Sequence, residues 1–470
     1  MRRKGLLAGF LVGITVGLIA VTIAMQPAAS SESDDDLMKE FFQPLAWAVQ
    51  QIQRNYVEEV KAEDLLVGAY EGMMSKLDKY STHIPPARFK EFKADTEGEF
   101  GGLGIQIRFM PIEKVVHVEQ PIPGTPAFKK GILAGDKIIK IKQESGEVVK
   151  TQELDNVHDA VELLRGEPGT EVTITVVHER SPNKPVDITI ERAIIETPGV
   201  RAMHMVDEQR KIGYVYLASF HEQTLQDLDV ALKKLREQDM QALVVDLRFN
   251  PGGLLNTATE VSDRFLEEGV VVSTKGRSSR EQVYKAHKDG DDCVDIPLVV
   301  LVNEYSASAS EIVAGAIKDQ GRGIILGEKT YGKGSVQSLM QLPGDRGALK
   351  LTTARYYTPS GVCIEDVGIK PDIEVTLPPE EDAKLVSHLS DYVSFPPKKS
   401  FEEGEQKDEE KKQESATESS EANAEDGEEN EEAEEFEDVQ LKRAVDVLRG
   451  ILVQQKLTER RKQVAVGALD

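Results

Sequence analysis

The amino-acid sequence predicts a multidomain α/β protein with an N-terminal helical segment, a β-rich module and an α/β core. Two apolar runs indicate the core, at residues 242–247 and 297–303, and helical sequence follows each of them. Such runs are typical of strands buried on both faces, and strand–helix–strand units form parallel sheets with a right-handed crossover. A glycine-rich stretch at residues 99–107 indicates the β-rich module, and the apolar spacing of residues 37–92 indicates the helical segment.

The first unit of the core leads from its strand into a glycine turn. The run ALVVDL is followed by RFNPGG at residues 248–253 and then by helical sequence at residues 254–268. Gly252 and Gly253 allow a turn whose backbone amides point outward, which suits an oxyanion hole. We therefore expect the amide of Gly252 to be one donor of such a hole.

The second unit carries a cluster of serines and a lysine. Its strand PLVVLVN leads into SASASE at residues 306–311 and a helix, and the loop YGKGSVQ at residues 331–337 follows the next strand. Because the carboxyl ends of parallel strands meet at one edge of a sheet, Ser308 and Lys333 should lie together there.

This combination is typical of a serine nucleophile with a lysine general base. A serine hydroxyl is a poor nucleophile until a base takes its proton, and a lysine can act only when its amine is neutral. The ordinary lysine pKa of about 10.4 must fall by about three units, which requires burial away from water and anions. Gln337 could hold the amine of Lys333 through a neutral hydrogen bond. The amide of Ala309, at the start of the helix, is the expected second oxyanion donor.

The order of these motifs resembles the carboxyl-terminal processing proteases, also called tail-specific proteases. The matching pieces are RxNPGG, SASASE and GKGxVQ, with TPSG and GIKPD further along the chain. The resemblance covers about residues 41–377. It implies a serine endopeptidase that works through an acyl-enzyme, with Ser308 as nucleophile, Lys333 as base and Gln337 as supporting residue.

Other chemistries have weaker support in the sequence. A GxxxxGK pattern ends at Lys333, but Gly334 stands where a phosphate-binding loop needs Ser or Thr for magnesium. The eight histidines are scattered and none lies in a glycine-rich or strand-end motif, which gives a Ser-His-Asp site little support but leaves a spatial partner open. No HExxH motif or Cys/His cluster is present, so we expect no metal and no cofactor. Small Ser/Ala runs also let helices pack closely without catalysis. The alternative function is a non-catalytic scaffold at the membrane that binds C-terminal peptides without turnover.

The β-rich module resembles a PDZ domain over residues 98–180. Its glycines let successive amides face one way, forming a nest that can receive a terminal carboxylate beside an edge strand. We therefore expect Gly102, Leu103, Gly104 and Ile105 to bind free C-terminal peptides. The competing interpretation is an ordinary glycine turn in a small barrel.

Arg165 follows the predicted helix of this module, at residues 157–164. It is either a helix-terminal cation favoured by the helix dipole or a regulatory switch that moves toward the cleft when a peptide binds. The chain departs from the family pattern at residues 77–81, where LDKYS replaces the DPHS of many members. This departure affects the predicted junction between the helical segment and the module.

The N-terminal stretch predicts a membrane segment. Arg2, Arg3 and Lys4 precede 21 uncharged residues at positions 5–25, and about 20 such residues cross a bilayer. We expect an uncleaved anchor with the body of the protein outside, although the small residues that follow also suit a cleaved signal peptide. In the bacterial proteins that the chain resembles, this means the inner membrane facing the periplasm, or the periplasm after cleavage.

The last part of the chain contains a strongly acidic stretch. The net charge is −25, and residues 402–438, with 19 acidic and 3 basic residues, contribute −16 of it. Such a stretch predicts a solvated linker before a terminal helix. The expected boundaries are residues 1–29 for the anchor or signal, 30–97 for a linker and the helical segment, 98–180 for the PDZ module, 181–380 for the protease core, 381–438 for the acidic linker and 439–470 for the C-terminal helix.

The resemblance also defines the expected partners. These are exported proteins that present unfolded or apolar C-terminal tails, and no nucleic acid is expected. A lipoprotein adaptor and a homodimer that packs through terminal helices remain open. We interpret the two cysteines, Cys293 and Cys363, as structural; an exported location would permit a disulfide between them.

Overall fold

The computed structural model of the protein describes residues 32–110, 113–278, 280–287, 293–390 and 437–467. The chain divides after Met73 into two units, which are described separately. The predicted membrane segment lies outside the described residues. In the described ranges, no helix is both long enough and apolar enough to cross a membrane.

The described part of the first unit contains helix α1 (Glu32–Asn55) and all but the last residue of helix α2 (Ala62–Met74). Helix α1 begins inside the stretch predicted as a polar linker, where acidic residues favour a helix N-terminus.

The prediction of a helix through residue 92 is wrong at Thr82–Ile84, which forms strand β1. Two prolines follow this strand, and Pro86 occupies the first turn of α3 (Pro86–Glu97), where a proline is favoured.

The β-rich module lies between two strands that pair with each other. Strand β2 (Glu99–Gly102) is antiparallel to β9 (Ala193–Glu196), so the chain enters and leaves the module side by side. Inside, the antiparallel sheet has the order β3-β4-β5-β7-β8, with β6 beside β5, and β3 is an edge strand. The elements are β3 (Ile105–Met110), β4 (Val115–Pro121), α4 (Pro126–Lys129), β5 (Lys137–Gln143), β6 (Val148–Lys150), α5 (Val157–Leu164), β7 (Glu171–Val177) and β8 (Val186–Glu191).

The core contains a six-stranded sheet in the order β10-β11-β12-β15-β16-β19. Strand β10 is antiparallel to β11, and every later pair in this order is parallel, as the strand–helix–strand pattern predicts. These strands are β10 (Val200–Asp207), β11 (Ile212–Leu217), β12 (Ala242–Asp246), β15 (Leu298–Val302), β16 (Ile324–Gly327) and β19 (Ile373–Glu374). Three helices pack on one face of the sheet: α6 (Thr224–Glu237), α7 (Leu255–Asp263) and α8 (Ala309–Asp319).

A second sheet in the core is built around one long strand, β18 (Ala348–Tyr357). It pairs antiparallel with β1, β13 (Gly269–Gly276) and β17 (Ser335–Gln341), and β13 also pairs with β14 (Gln282–Ala286). The loop that carries Lys333 enters β17, so this sheet holds the lysine side of the predicted site.

The C-terminal helices cover the other face of the parallel sheet. Helix α9 (Pro379–Ser390) and helix α10 (Val439–Gly467) bury apolar residues against it, among them Leu385 and Leu448. The predicted acidic linker is therefore wrong at its start, since α9 supplies apolar side chains to the core. The remainder of that linker, residues 391–436, lies outside the described residues. The predicted fold class, a helical segment, a PDZ-like module and an α/β core, is confirmed.

Candidate active site

Two loops leave neighbouring parallel strands at the same edge of the sheet. Strand β12 leads into the RFNPGG turn, and β15 leads toward Ser308. The backbone carbonyl of Asn250 accepts hydrogen bonds from the Ala307 amide at 3.1 Å and from the Ser310 hydroxyl at 2.9 Å. The side-chain oxygen of Asn303 accepts a bond from the Phe249 amide at 3.0 Å. The turn is thereby bonded to the chain on both sides of Ser308.

Ser308 occupies a strained position directly before helix α8. Its backbone angles are φ 55° and ψ −110°, and its side chain is buried at 7% exposure. A positive φ is rare for residues other than glycine and persists only where the surroundings enforce it. Gly252 lies against it: a Cβ at position 252 would stand 2.8 Å from the Cβ of Ser308 and 2.7 Å from the carbonyl oxygen of Ala307. Only glycine permits this approach.

Glu311 joins the serine loop to the lysine loop. Its fully buried carboxylate accepts bonds from the amides of Ser308 at 2.9 Å and Lys333 at 2.8 Å on one oxygen. The other oxygen accepts bonds from the Gly332 amide at 2.7 Å and the Thr330 hydroxyl at 2.5 Å. Sequence reasoning assigned it no role, although an acidic residue three positions after a helix-capping serine has capping-box spacing.

Lys333 is held in a poorly solvated position. Burial lowers the pKa of its amine, and the positive charge of Lys350 lowers it further, against opposing effects of Glu365 and Glu311. Within the described residues, the Lys333 side chain makes neither a hydrogen bond nor an ion pair. Its nitrogen lies 5.2 Å from the centre of the Tyr80 ring. Burial and the charge of Lys350 together favour the neutral amine that a general base requires.

Tyr80 reaches the lysine from a segment in which the sequence suggested only a junction. The carboxylate of Asp78 accepts bonds from the amides of Tyr80 and Ser81, both at 2.8 Å, and from the Thr352 hydroxyl at 3.2 Å. These contacts fix the LDKYS turn on strand β18. The departure from the family pattern therefore lies beside the candidate base.

One cavity contains the predicted catalytic residues. Ser308, Lys333, Gln337 and Gly252 line a cleft of about 760 Å³, which is also bordered by His221. The cleft is large enough for several residues of an extended chain. In the part of the chain that the structure describes, no group of His, Cys, Asp and Glu side chains is arranged to hold a metal ion.

Two supporting residues have contacts that differ from those expected. The side-chain nitrogen of Gln337 donates to the Ser335 hydroxyl at 2.9 Å and to the Thr352 hydroxyl at 3.4 Å, and no bond joins it to Lys333 within the described residues. The Gly252 amide donates to the side-chain oxygen of Asn250 at 2.9 Å, so in this conformation one of the two predicted oxyanion donors is already engaged. The roles of Gln337, Gly252 and Ala309 stay predictions.

The predicted peptide-binding residues lie at the start of the module's edge strand. Leu103 is buried in the module core, and Ile105 begins β3, whose second edge is unpaired among the strands described. Gly104 has φ +75°, and a Cβ there would stand 2.3 Å from the Cβ of Thr125. The turn from Gly102 to Ile105 therefore depends on glycine at position 104.

Arg165 lies where the module joins the core. It caps the end of α5, and its guanidinium lies 4.1 Å from the centre of the Phe100 ring on strand β2. A cation above an aromatic face is attractive, so Arg165 bridges the module helix and the strand that connects to the core. Both Cys293 and Cys363 are free thiols in this structure.

Comparison with known proteins gives consistent similarities. The family model for peptidase family S41 matches residues 211–375, and that for the PDZ domain matches residues 117–178. The carboxy-terminal-processing protease of Bartonella bacilliformis is 40% identical over 375 residues, which cover 78% of this chain and 82% of that protein. The carboxy-terminal processing protease CtpA of Bacillus subtilis is 34% identical over 339 residues, covering 72% and 69%. A solved photosystem II D1 C-terminal processing protease aligns at a TM-score of 0.43 and 29% identity, covering 70% and 86%.

Proposed function

Because the chain belongs to the carboxy-terminal processing proteases of peptidase family S41, and is thus a serine-type peptidase, we propose that it cleaves peptide bonds through a Ser308/Lys333 dyad. The observation that carries this proposal is the shared cleft, in which a strained, buried serine and a lysine of lowered pKa are tied through one carboxylate.

The proposed reaction is acyl transfer. Lys333 takes the proton of the Ser308 hydroxyl as its oxygen attacks a peptide carbonyl, and the same proton then goes to the leaving amine. Lys333 takes a proton from the water that attacks the resulting ester, and passes it to the Ser308 oxygen as the ester bond breaks, which restores the hydroxyl and the neutral amine and releases the new C-terminus. The Ala309 amide at the start of α8 stabilises the oxyanion, together with the Gly252 amide once Asn250 releases it.

We further propose that substrates are exported proteins whose unfolded or apolar C-terminal tails bind the PDZ domain. The tail would extend the module sheet along the free edge of β3, with its carboxylate in the turn from Gly102 to Ile105. The edge position of β3 and the positive φ of Gly104 support this mode. The contact between Arg165 and Phe100 supports a regulatory role for Arg165, since a bound tail could alter it at the junction with the core.

The cellular location of the enzyme and its partners are proposed from the sequence and the family resemblance alone. The charged N-terminus and the apolar stretch at residues 5–25 support an inner-membrane protein that faces the periplasm, or a periplasmic one after cleavage. A lipoprotein adaptor and a homodimer are partners that the family resemblance suggests. The pure full chain can be tested for each by size-exclusion chromatography and by cleavage without added proteins.

The dyad is tested with the full chain in detergent and an unfolded protein that has an apolar C-terminus. We expect cleavage by the parent and by the control variant Lys329→Met, but none by Ser308→Ala or Lys333→Met. Mass spectrometry of the fragments reports the bonds cut, and the same substrate ending in two aspartates should be cut more slowly. Cleavage by Ser308→Ala would refute the dyad, and tail binding without cleavage by any form would favour the scaffold function.

A further inference from the structure

The C-terminal segment of the chain contacts the turn that supports the nucleophile. Arg248, the first residue of that turn, is fully buried, and its guanidinium binds two carboxylates from different parts of the sequence. Asp246 precedes it in strand β12 and accepts bonds at 2.6 and 3.0 Å. Asp438 lies 190 positions after Arg248 and accepts a bidentate pair of hydrogen bonds from it at 3.0 and 2.7 Å. Bidentate pairs of this kind fix geometry as well as supply energy.

The contact is built into the start of helix α10. The Asp438 carboxylate also accepts the Leu441 amide at 2.9 Å, and the side-chain oxygen of Gln440 accepts a bond from Arg248 at 2.9 Å. Asp438 belongs to the acidic stretch that the sequence predicts as solvated, yet its side chain is only 9% exposed in this ion pair. Burial raises its pKa, but the charge and hydrogen bonds of Arg248 outweigh burial and hold that pKa below its usual range.

Arg248 is two residues from the atoms that hold the serine loop. Phe249, the next residue, has φ 57°, a conformation that must be enforced by its neighbours. The carbonyl of Asn250 then accepts the bonds from Ala307 and Ser310, on either side of Ser308. A shift of the Arg248 backbone would therefore move the groups that orient the nucleophile.

We propose that Asp438 is a positioning residue for proteolysis: the C-terminal segment fixes Arg248, and through it the turn that orients Ser308. The inference rests on the proposed role of Ser308. The part of the chain after the acidic linker is thus required for an ordered active site, beyond its packing on the sheet.

A second ion pair of the same helix, with a half-exposed arginine, provides a control. Arg449 on α10 donates to Asp207 at 2.7 Å, on strand β10, two strands away from β12. Asp438→Asn and Arg449→Gln each remove one charge from an anchor of α10, and only the first anchor touches the turn. We expect Asp438→Asn in the full chain to lower kcat by about 10- to 100-fold, as small misplacements of reacting groups do, with KM nearly unchanged. Arg449→Gln should keep kcat within about twofold of the parent.

Thermal unfolding and the rate of labelling by a fluorophosphonate are measured for the same variants. Slower labelling of Asp438→Asn than of Arg449→Gln, at a temperature at which both variants are fully folded, supports positioning. An unchanged kcat for Asp438→Asn, or equal losses in both variants that follow their melting temperatures, overturns it. If Asp438→Asn does not fold, Gln440→Leu keeps the ion pair and removes one bond to Arg248 and one to the Val375 carbonyl, and it must still lower kcat. Cleavage by Ser308→Ala would instead refute the dyad and leave this comparison of variants readable.

Discussion

Replacing Glu311 by glutamine tests whether this carboxylate holds the loops of Ser308 and Lys333 together. Glutamine keeps the size of the side chain but replaces one accepting oxygen by a donating nitrogen. If the nitrogen takes the place facing Ser308 and Lys333, both amides lose their acceptor. If it faces Thr330 and Gly332, the threonine hydroxyl, which already accepts the Ile369 amide, can turn and accept a second bond, so the Gly332 amide is the one backbone donor left unpaired. The second orientation should therefore prevail.

The magnitude follows from that one unpaired donor. A buried donor without a partner costs about 1–3 kcal/mol. The remaining bonds lose their charge assistance, whereas relief of the buried charge acts in the opposite sense. We expect Glu311→Gln to lower the free energy of unfolding by about 1–3 kcal/mol. Glu311→Leu leaves four donors unpaired, at about 4–12 kcal/mol in total, which approaches the 5–15 kcal/mol stability of a typical domain, so this variant should not fold.

The same substitution has a predicted effect on pH dependence. The negative charge of Glu311 raises the pKa of Lys333, so its removal lowers that pKa further. The neutral, basic form of Lys333 then exists at lower pH, and the acidic limb of the kcat profile moves to lower pH. Glu365→Gln is the matched control, because it removes the other carboxylate that raises this pKa without removing bonds to the loops. It should shift the limb in the same direction and leave stability unchanged.

Urea unfolding and peptide cleavage from mildly acidic to alkaline pH provide both measurements. A loss of stability below about 0.5 kcal/mol for Glu311→Gln would show that the four bonds do not contribute as a buried acceptor should. A limb that moves to higher pH in either variant would refute the assigned electrostatics of Lys333.

Three further predictions concern other parts of the site. Gly252→Ala should lower kcat by about 100-fold with tail binding intact, because the added Cβ collides with Ser308. Steady-state kinetics measures kcat and fluorescence anisotropy measures tail binding; a normal kcat would contradict the close approach of Gly252 and Ser308. Lys350→Gln should move the acidic limb to higher pH, since the charge that helps lower the pKa of Lys333 is lost; a limb that stays in place would exclude this charge effect. Gly104→Ala should weaken tail binding about tenfold in anisotropy, because its φ of +75° and the nearby threonine exclude a side chain, whereas an unaffected affinity would place the peptide elsewhere.

Sequence patterns were sufficient to predict elements whose structure depends on residues close together in the chain. The runs at residues 242–247 and 297–303 predicted parallel strands, and these form β12 and β15 in adjacent positions. The family prediction is confirmed by similarity over most of the chain. Boundaries were less certain: the helical pattern of the N-terminal segment continued through Thr82–Ile84, although pairing with β18 makes these residues a strand. Periodicity alone does not reveal a partner strand far along the chain.

Side-chain contacts inside the candidate site were likewise only partly predictable from the sequence. Ser308 and Lys333 could be predicted to meet because parallel strands end at one edge. The hydrogen bonds of Gln337 could not be predicted. Its side chain donates to Ser335 and Thr352, and the pairing of strands in the second sheet places these hydroxyls beside it. The position of Tyr80 against the amine of Lys333 likewise depends on the bonds of Asp78.

The sequence by itself determined the order of strands and helices, the glycine turns and the residues proposed to carry the chemistry, because each of these depends on near neighbours in the chain. Tertiary structure decided how these parts constrain one another. Glu311 ties two loops through four bonds, and Asp438 reaches Arg248 across 190 positions. Such contacts depend on the packing of the sheet and its covering helices, which brings distant residues together and makes a buried charge without a partner costly.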